Sequence, residues 1–167
     1  MFMFGKMKLS KKIQSLSLEG SEKLLALLKE DEFLYSKSMA EDTVKVSGAI
    51  FVINIIRDAL NRKHSSKSVF VMTSTAIKTL AHDKSSEDLF MKGYFESISV
   101  YNQSFEYYKG MPNFDAIAVA TKVFLGSIID DKDFLMAELE TTIPQSNGYK
   151  KIYNYIKNEL LVACAQL

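Results

Sequence analysis

The sequence is short of several residue types, and each shortage excludes a class of structure or chemistry. Its one cysteine, Cys164, permits neither an intramolecular disulfide nor a zinc site built from cysteines. Its two histidines, His64 and His82, leave little material for metal or nucleophilic chemistry. Its two prolines leave room for long helices. A chain with so little cysteine suits a reducing compartment, so we expect a cytoplasmic protein.

The sequence also lacks a charge excess and a long apolar run. Lysine and arginine number 21 against 20 aspartates and glutamates, so the net charge of +1 creates no overall field that attracts nucleic acid or an anionic membrane. The most apolar run, AIFVINII at residues 49–56, is far shorter than the roughly 20 residues that cross a bilayer. The first residues mix lysines with apolar residues and are a poor secretory signal. We therefore expect no transmembrane segment.

The composition is that of a globular protein. Hydrophobic residues make up 47% and charged residues 25% of the chain, close to the globular average. A length of 167 residues predicts one domain. Residues 1–18 carry lysines without any acidic residue, so we interpret them as a basic amphipathic N-terminal segment. Residues 19–167 are interpreted as a single helical domain.

Helical periodicity runs through the whole chain. In the middle, apolar residues recur at steps of three and four from Val46 to Leu60, and most residues between them are apolar as well. This pattern predicts a helix over residues 40–63, apolar nearly all round and therefore central to the core. Other periodic segments, one of them beginning at Ser21 after Gly20, complete an all-α bundle of about six or seven helices.

One segment leaves a different fold class open. Residues 69–75, VFVMTST, are rich in β-branched side chains, which favour strands. Val69, Met72 and Ala76 nevertheless keep helical spacing through the same segment. The alternative to the all-α bundle is an α+β fold with a short strand near residues 69–75.

A short fragment resembles a catalytic motif. Residues 79–84, TLAHDK, are similar to the core of the HD phosphohydrolase motif, an adjacent His-Asp pair that binds metal in a helical domain. The resemblance implies His82 and Asp83 as ligands, His64 as the upstream histidine, and Asp130 or Asp131 as the distal aspartate. Such a metal lowers the pKa of a bound water that attacks a phosphate ester. The glycine that usually follows the pair is absent, so we favour a helix C-terminus at His82 and Asp83 and no metal site.

A local basic patch lies in NRKHSSK, residues 61–67. Arg62, Lys63 and Lys67 are its charged residues and could contact nucleic acid. Aromatic residues, which stack on bases in single-strand binding sites, do not alternate with them. A solvated helix end is therefore the favoured interpretation, with nucleic-acid binding as the alternative.

The segment SVYNQSFEYYKG, residues 99–110, holds more aromatic residues than one buried face needs. Tyr101, Phe105 and Tyr108 follow one helical stripe, and Tyr107 lies beside it. Most of these side chains should pack in the core, but exposed tyrosine and phenylalanine also anchor protein interfaces. All four are candidate partner-binding residues.

The first residues supply two more candidates, Phe2 and Phe4, placed beside lysines at a chain end. Because chain ends are usually disordered unless they dock, we expect residues 1–16 to contact a protein partner or a second subunit. The aromatic residues Tyr101, Phe105 and Tyr108 are the expected place of contact. Cys164, by contrast, shares the apolar face of the last helix and is expected to be a buried, unreactive thiol.

No cofactor or metal is expected from these patterns. We interpret the chain as a small non-enzymatic helical protein of bacterial or phage type that acts through protein–protein interaction as an accessory, inhibitor or regulator. Its partner is an unidentified protein or a second copy of itself. The alternatives are a nucleic-acid-binding regulator and a metal-dependent HD-type phosphohydrolase.

Overall fold

The computed structural model describes residues 2–167, and the side chains of all of these except residues 2–4 and 6. Within these residues the chain is helical, and the only β-type pairing is an isolated bridge between Ser38 and Ile129. The all-α prediction is confirmed. The helices are α1 (Phe2–Lys29), α2 (Glu32–Ser36), α3 (Glu41–Leu60), α4 (Ser66–Thr79), α5 (Lys84–Lys109), α6 (Ala116–Ile128), α7 (Lys132–Glu138), α8 (Asn147–Tyr155) and α9 (Leu161–Ala165), with a 3-10 turn at Ile143–Gln145 and a π segment at Ile156–Leu160 joining α8 to α9.

Helix α3 lies at the centre of the bundle, as its periodicity predicts. Of its 20 residues, 11 are buried, and the buried set includes every residue from 48 to 56. Helices α1, α4, α5, α6 and α9 all pack on it. A helix that is apolar on all sides needs neighbours on all sides, and the surrounding helices provide them.

Helices α1 and α3 approach closely because glycine lies at their contact. A Cβ atom on Gly20 would lie 2.8 Å from Cγ2 of Val52, and one on Gly48 would lie 3.3 Å from Cα of Ser21. Helix α1 continues without a break through Gly20 and through the boundary at residues 18 and 19 that separates the predicted N-terminal segment from the helical domain. The predicted helix start at Ser21 is therefore wrong. Ser21 donates its hydroxyl to the carbonyl oxygen of Leu18 and caps nothing.

The segment that left a strand open is helix α4. Ser65 caps its start by accepting a hydrogen bond from the N–H of Ser68. Val69, Met72 and Ala76 are buried on one face. The strand alternative near residues 69–75 is wrong because helical spacing buries these side chains, and that burial outweighs the modest strand preference of β-branched residues.

One carboxylate joins two helix starts. Asp31 accepts a hydrogen bond from the N–H of Leu34 at 3.0 Å, which caps α2. Its other oxygen accepts the N–H of Gly148 at 2.8 Å, in the first turn of α8. Helix N-termini leave backbone donors without partners, so this side chain ties the start of α8 to the corner that follows α1.

Candidate functional site

The residues that the HD resemblance implies as metal ligands are not brought together as one group. His64 lies in the exposed turn after α3, and His82 lies in the loop between α4 and α5. The 14 residues of α4 separate them, a length of about 21 Å at 1.5 Å per residue. Among the residues whose side chains are described, no group of three or more histidine, cysteine, aspartate or glutamate residues could hold a metal ion.

Two of the three aspartates that the resemblance implies as metal ligands, Asp83 and Asp131, cap helix starts. Asp83 accepts a hydrogen bond from the N–H of Ser86 at 2.7 Å and caps α5, so it begins a helix and does not end one, contrary to the prediction. This hydrogen bond lowers the pKa of Asp83. Asp131 caps α7 through the N–H of Phe134 and pairs with Lys37 at 3.2 Å. Asp130, just before it, is exposed.

Four of the predicted residues from two separate groups do meet. Arg62 and Lys63 of the basic patch, and Tyr101 and Phe105 of the aromatic set, line one cavity of about 380 Å³, which we call the basic cavity. Lys67 is not among its lining residues and lies exposed in the first turn of α4. The other residues that line the cavity are Ile55, Asp58, Ala59, Ala116, Ile117, Ala120, Ile156, Leu161, Cys164 and Ala165.

The charged groups of the basic cavity are partly paired. Arg57, next to the cavity, lies 3.1 Å from the carboxylate of Asp58 and places its guanidinium 6.0 Å from the ring centre of Tyr101. Lys63 donates from Nζ to the carbonyl oxygen of Ala165 at 2.9 Å. Burial and then the negative charge of Asp58 raise the pKa of Tyr101, which is only 5% exposed, so its hydroxyl keeps its proton at neutral pH.

Cys164 belongs to the inner wall of the same cavity. It is 1% exposed, and burial raises the pKa of its thiol to about 12. A thiol with such a pKa holds almost no thiolate at neutral pH and is a poor nucleophile. The expectation of a buried Cys164 is confirmed.

The other two aromatic candidates on α5, Tyr107 and Tyr108, are not among the residues that line the basic cavity. Tyr107 is 65% exposed. Tyr108 hydrogen-bonds through its hydroxyl to Glu140, and the ammonium of Lys122 lies 4.7 Å from the centre of its ring. Tyr108 is one of the residues that line a second concave surface, on the side of α5 that faces α6.

This second surface, the α5 groove, runs along α5 between α3 and α6. Its deeper part encloses about 400 Å³, and a shallower part of about 440 Å³ continues it toward the start of α5. Ile50 and Phe51 of α3 lie in its floor, whereas small side chains line much of its sides. The small residues are Ser47 on α3, Gly93, Ser97 and Ser104 on α5, and Gly126 and Ser127 on α6.

Helix α5 is covered far less than α3. Of its 26 residues only Tyr94 and Tyr101 are buried. Three large apolar side chains on one side of this helix are exposed instead: Leu89 at 66% and Val100 at 52%, which line the groove, and Tyr107 at 65%, seven residues after Val100. Exposed apolar side chains that share one side of a helix, next to a concave surface, are a candidate interaction site.

A buried amide lies beneath the groove. Asn54 is 0% exposed and donates from Nδ2 to the hydroxyl of Ser97 at 2.6 Å. Its Oδ1 has no hydrogen-bond partner among the described residues. Sequence reasoning missed the groove, although one signal was present: Gly93, Ser97 and Ser104 are small residues that recur at helical steps along one side of α5.

The structure describes the N-terminal segment only in part. The side chains of Phe2 and Phe4 lie outside the described residues. Further along, Ile13 is fully buried, and Gln14 donates to the carbonyl oxygen of Thr79 on α4. Residues 1–16 form the predicted partner-binding segment. The part of it that includes Ile13 and Gln14 packs against the protein's own core.

Comparison of the chain with models of known protein families, with curated proteins and with solved structures finds no match. In the described part of the chain, none of the helices combines the length and the apolar character that crossing a membrane requires.

Proposed function

We propose that the protein is a cytoplasmic, non-enzymatic accessory or regulatory protein of bacterial or phage type that acts through protein–protein interaction, with the α5 groove as its interface. The observation that carries this proposal is a set of exposed apolar side chains on one side of α5, Leu89, Val100 and Tyr107, together with a groove on α5 that small residues line in large part. Large side chains from a second helix can enter such a groove, and small residues let two helices approach closely. A cytoplasmic location is supported by the single cysteine, since proteins of a reducing compartment rarely use disulfides.

The occupant that this surface fits is α5 of a second copy, in antiparallel orientation. In a two-fold interface the same patch must be complementary to itself. With the two-fold axis between residues 98 and 99, Val100 of each copy lies level with Ser97 of the other, and Gly93 lies level with Ser104. The same register places Leu89 level with Tyr108. A large side chain thus faces a small one at the centre, and apolar side chains meet at both ends.

The charges toward the two ends of α5 are compatible with this arrangement, whereas Glu96 lies near its centre. Lys92 and Glu106 are exposed along the same edge of the helix, toward its opposite ends. An antiparallel pair brings Lys92 of each copy to within one helical turn of Glu106 of the other. Within one chain Lys92 has only Glu96, at 3.9 Å, as a described ion-pair partner. Opposite charges at the two ends of an interface fix its register.

We expect Val100→Glu to weaken self-association at least about tenfold, because a carboxylate would be buried at the centre of the interface. Sedimentation equilibrium of the wild type and the variant measures this change. Phe95→Glu is the matched control, since Phe95 is 49% exposed on the other side of α5 and stacks on Phe70. Equal effects of the two substitutions would contradict the assignment of the interface to the groove.

A further inference from the structure

We propose that the basic cavity, separately from the α5 groove, binds a small organic anion that carries an apolar body, such as a medium-chain carboxylate. The cavity of about 380 Å³ lies between the end of α3, α5, the start of α6 and the region where the π segment passes into α9. Sites for small molecules generally have volumes of roughly 300–1,000 Å³ and combine an apolar lining with a few placed polar groups.

The mouth of the cavity has an excess of positive charge. Asp58 is the acidic residue among those that line it, and the neighbouring Arg57 pairs with its carboxylate at 3.1 Å. Lys63 uses one of its donors on the carbonyl oxygen of Ala165. Arg62 is exposed and has no hydrogen-bond or ion-pair partner among the residues whose side chains are described. Arg62 and Lys63 can therefore both donate to an anionic group at the mouth.

The inner wall of the cavity is apolar and carries no competing charge. Ile55, Ile117 and Ile156 line it. The thiol of Cys164 and the hydroxyl of Tyr101 both remain protonated at neutral pH because burial raises the pKa of each. The apolar body of a ligand is stabilised when it leaves water for such a lining. A second charge on the ligand would instead lose its hydration there, which is unfavourable.

The start of α6 also lies at this cavity, but two of its free backbone donors are already used by a side chain. The Oδ1 atom of Asp115 accepts hydrogen bonds from the N–H groups of Ile117 and Ala118 at 2.9 and 3.2 Å. The other oxygen accepts the hydroxyl of Tyr153 at 2.7 Å. The anionic group of the ligand is therefore assigned to Arg62 and Lys63 and not to the helix N-terminus.

The π segment and the start of α9 also contribute to the lining of the cavity. Ile156 is the first residue of the π segment, and Leu161 follows the segment at the start of α9; both line the cavity. A π turn inserts extra backbone into a helix and is found frequently at functional sites. Here it lies between α8 and α9, beside the space that the ligand would occupy.

Isothermal titration calorimetry with octanoate, octylammonium and 1-octanol tests the proposal on the full chain. We expect octanoate to bind with one-to-one stoichiometry and a Kd below about 1 mM, and octylammonium to bind more weakly by about tenfold or more. 1-Octanol, which has the same chain without the charge, should bind with intermediate affinity. No heat from octanoate, or equal affinity for octylammonium, would overturn the proposal.

Variants then locate the site. Arg62→Ala should weaken octanoate binding about tenfold, because it removes a charge-assisted contact. Lys67→Ala, a change of another exposed cation of the same basic patch that does not line the cavity, should leave the affinity unchanged. Ala116→Leu should abolish binding, since Ala116 is exposed where it lines the cavity and the larger side chain fills that space. Equal loss in Arg62→Ala and Lys67→Ala, or full binding by Ala116→Leu, would contradict this location.

Discussion

Replacing Phe124 with alanine should lower the free energy of unfolding by about 3–5 kcal/mol, the usual loss for a large aromatic side chain in a core. Phe124 on α6 is 0% exposed and packs on Phe51 of α3 with ring centres 5.3 Å apart. Its removal leaves a cavity beside the central helix, and neighbours in a close-packed core fill such a space only in part. Urea denaturation followed by circular dichroism measures the change.

Phe114→Ala is the control for this experiment. Phe114 is 43% exposed before α6 and meets Phe105 edge to face with ring centres 6.2 Å apart. The same atoms are deleted, but water can replace them, so we expect a loss of about 1 kcal/mol or less. Losses of similar size from the two substitutions would mean that Phe124 does not hold α6 against α3 as described.

The substitution Gly20→Leu should cost about 3 kcal/mol, near the upper end of the usual penalty for overpacking. Even the first side-chain atom at this position would lie 2.8 Å from Val52, and the hydroxyl oxygen of Tyr155 lies 3.3 Å from it. Val52 is stiff and fully buried, so α1 must move away from α3. Thermal and urea denaturation should both report the loss.

Gly5→Leu makes the same chemical change in the same helix where no contact is expected to suffer. Apart from its chain neighbours and the backbone of its own helix, no described atom lies within 4 Å of a Cβ built on Gly5. Leucine is the better helix former, so stability should stay the same or rise by up to about 1 kcal/mol. If Gly20→Leu were as well tolerated as Gly5→Leu, the close contact of α1 with α3 would be refuted.

Gly20 illustrates which parts of the fold the sequence predicts and which it does not. Periodicity is a local property, so the helices themselves, including α3 and its buried centre, follow from the residues alone. Gly20 followed by Ser21 has the local pattern of a helix boundary. Only the position of Val52 on another helix reveals that the glycine is needed for close packing, and that information is tertiary.

The candidate sites show the same limit. Arg62 and Lys63 stand out as a charge cluster, and Tyr101 and Phe105 as an aromatic stripe, but about 40 residues separate the two groups in the chain. Their meeting at one cavity depends on how α3 and α5 pack. The α5 groove is defined by small side chains, and glycine and serine leave no hydrophobic signal of their own.

Cysteine cross-linking across the predicted two-fold axis tests the central claim, self-association through α5, most directly. In a Cys164→Ala background, Val100→Cys places a thiol about 4.5 Å along the helix axis from its counterpart in the second copy, since a helix rises 1.5 Å per residue. We predict that mild oxidation gives a disulfide-linked dimer, whereas Ser85→Cys, about 40 Å from its own counterpart in this register, does not. A protein that stays monomeric with Val100→Cys, or that cross-links equally well through Ser85→Cys, would contradict the proposed interface.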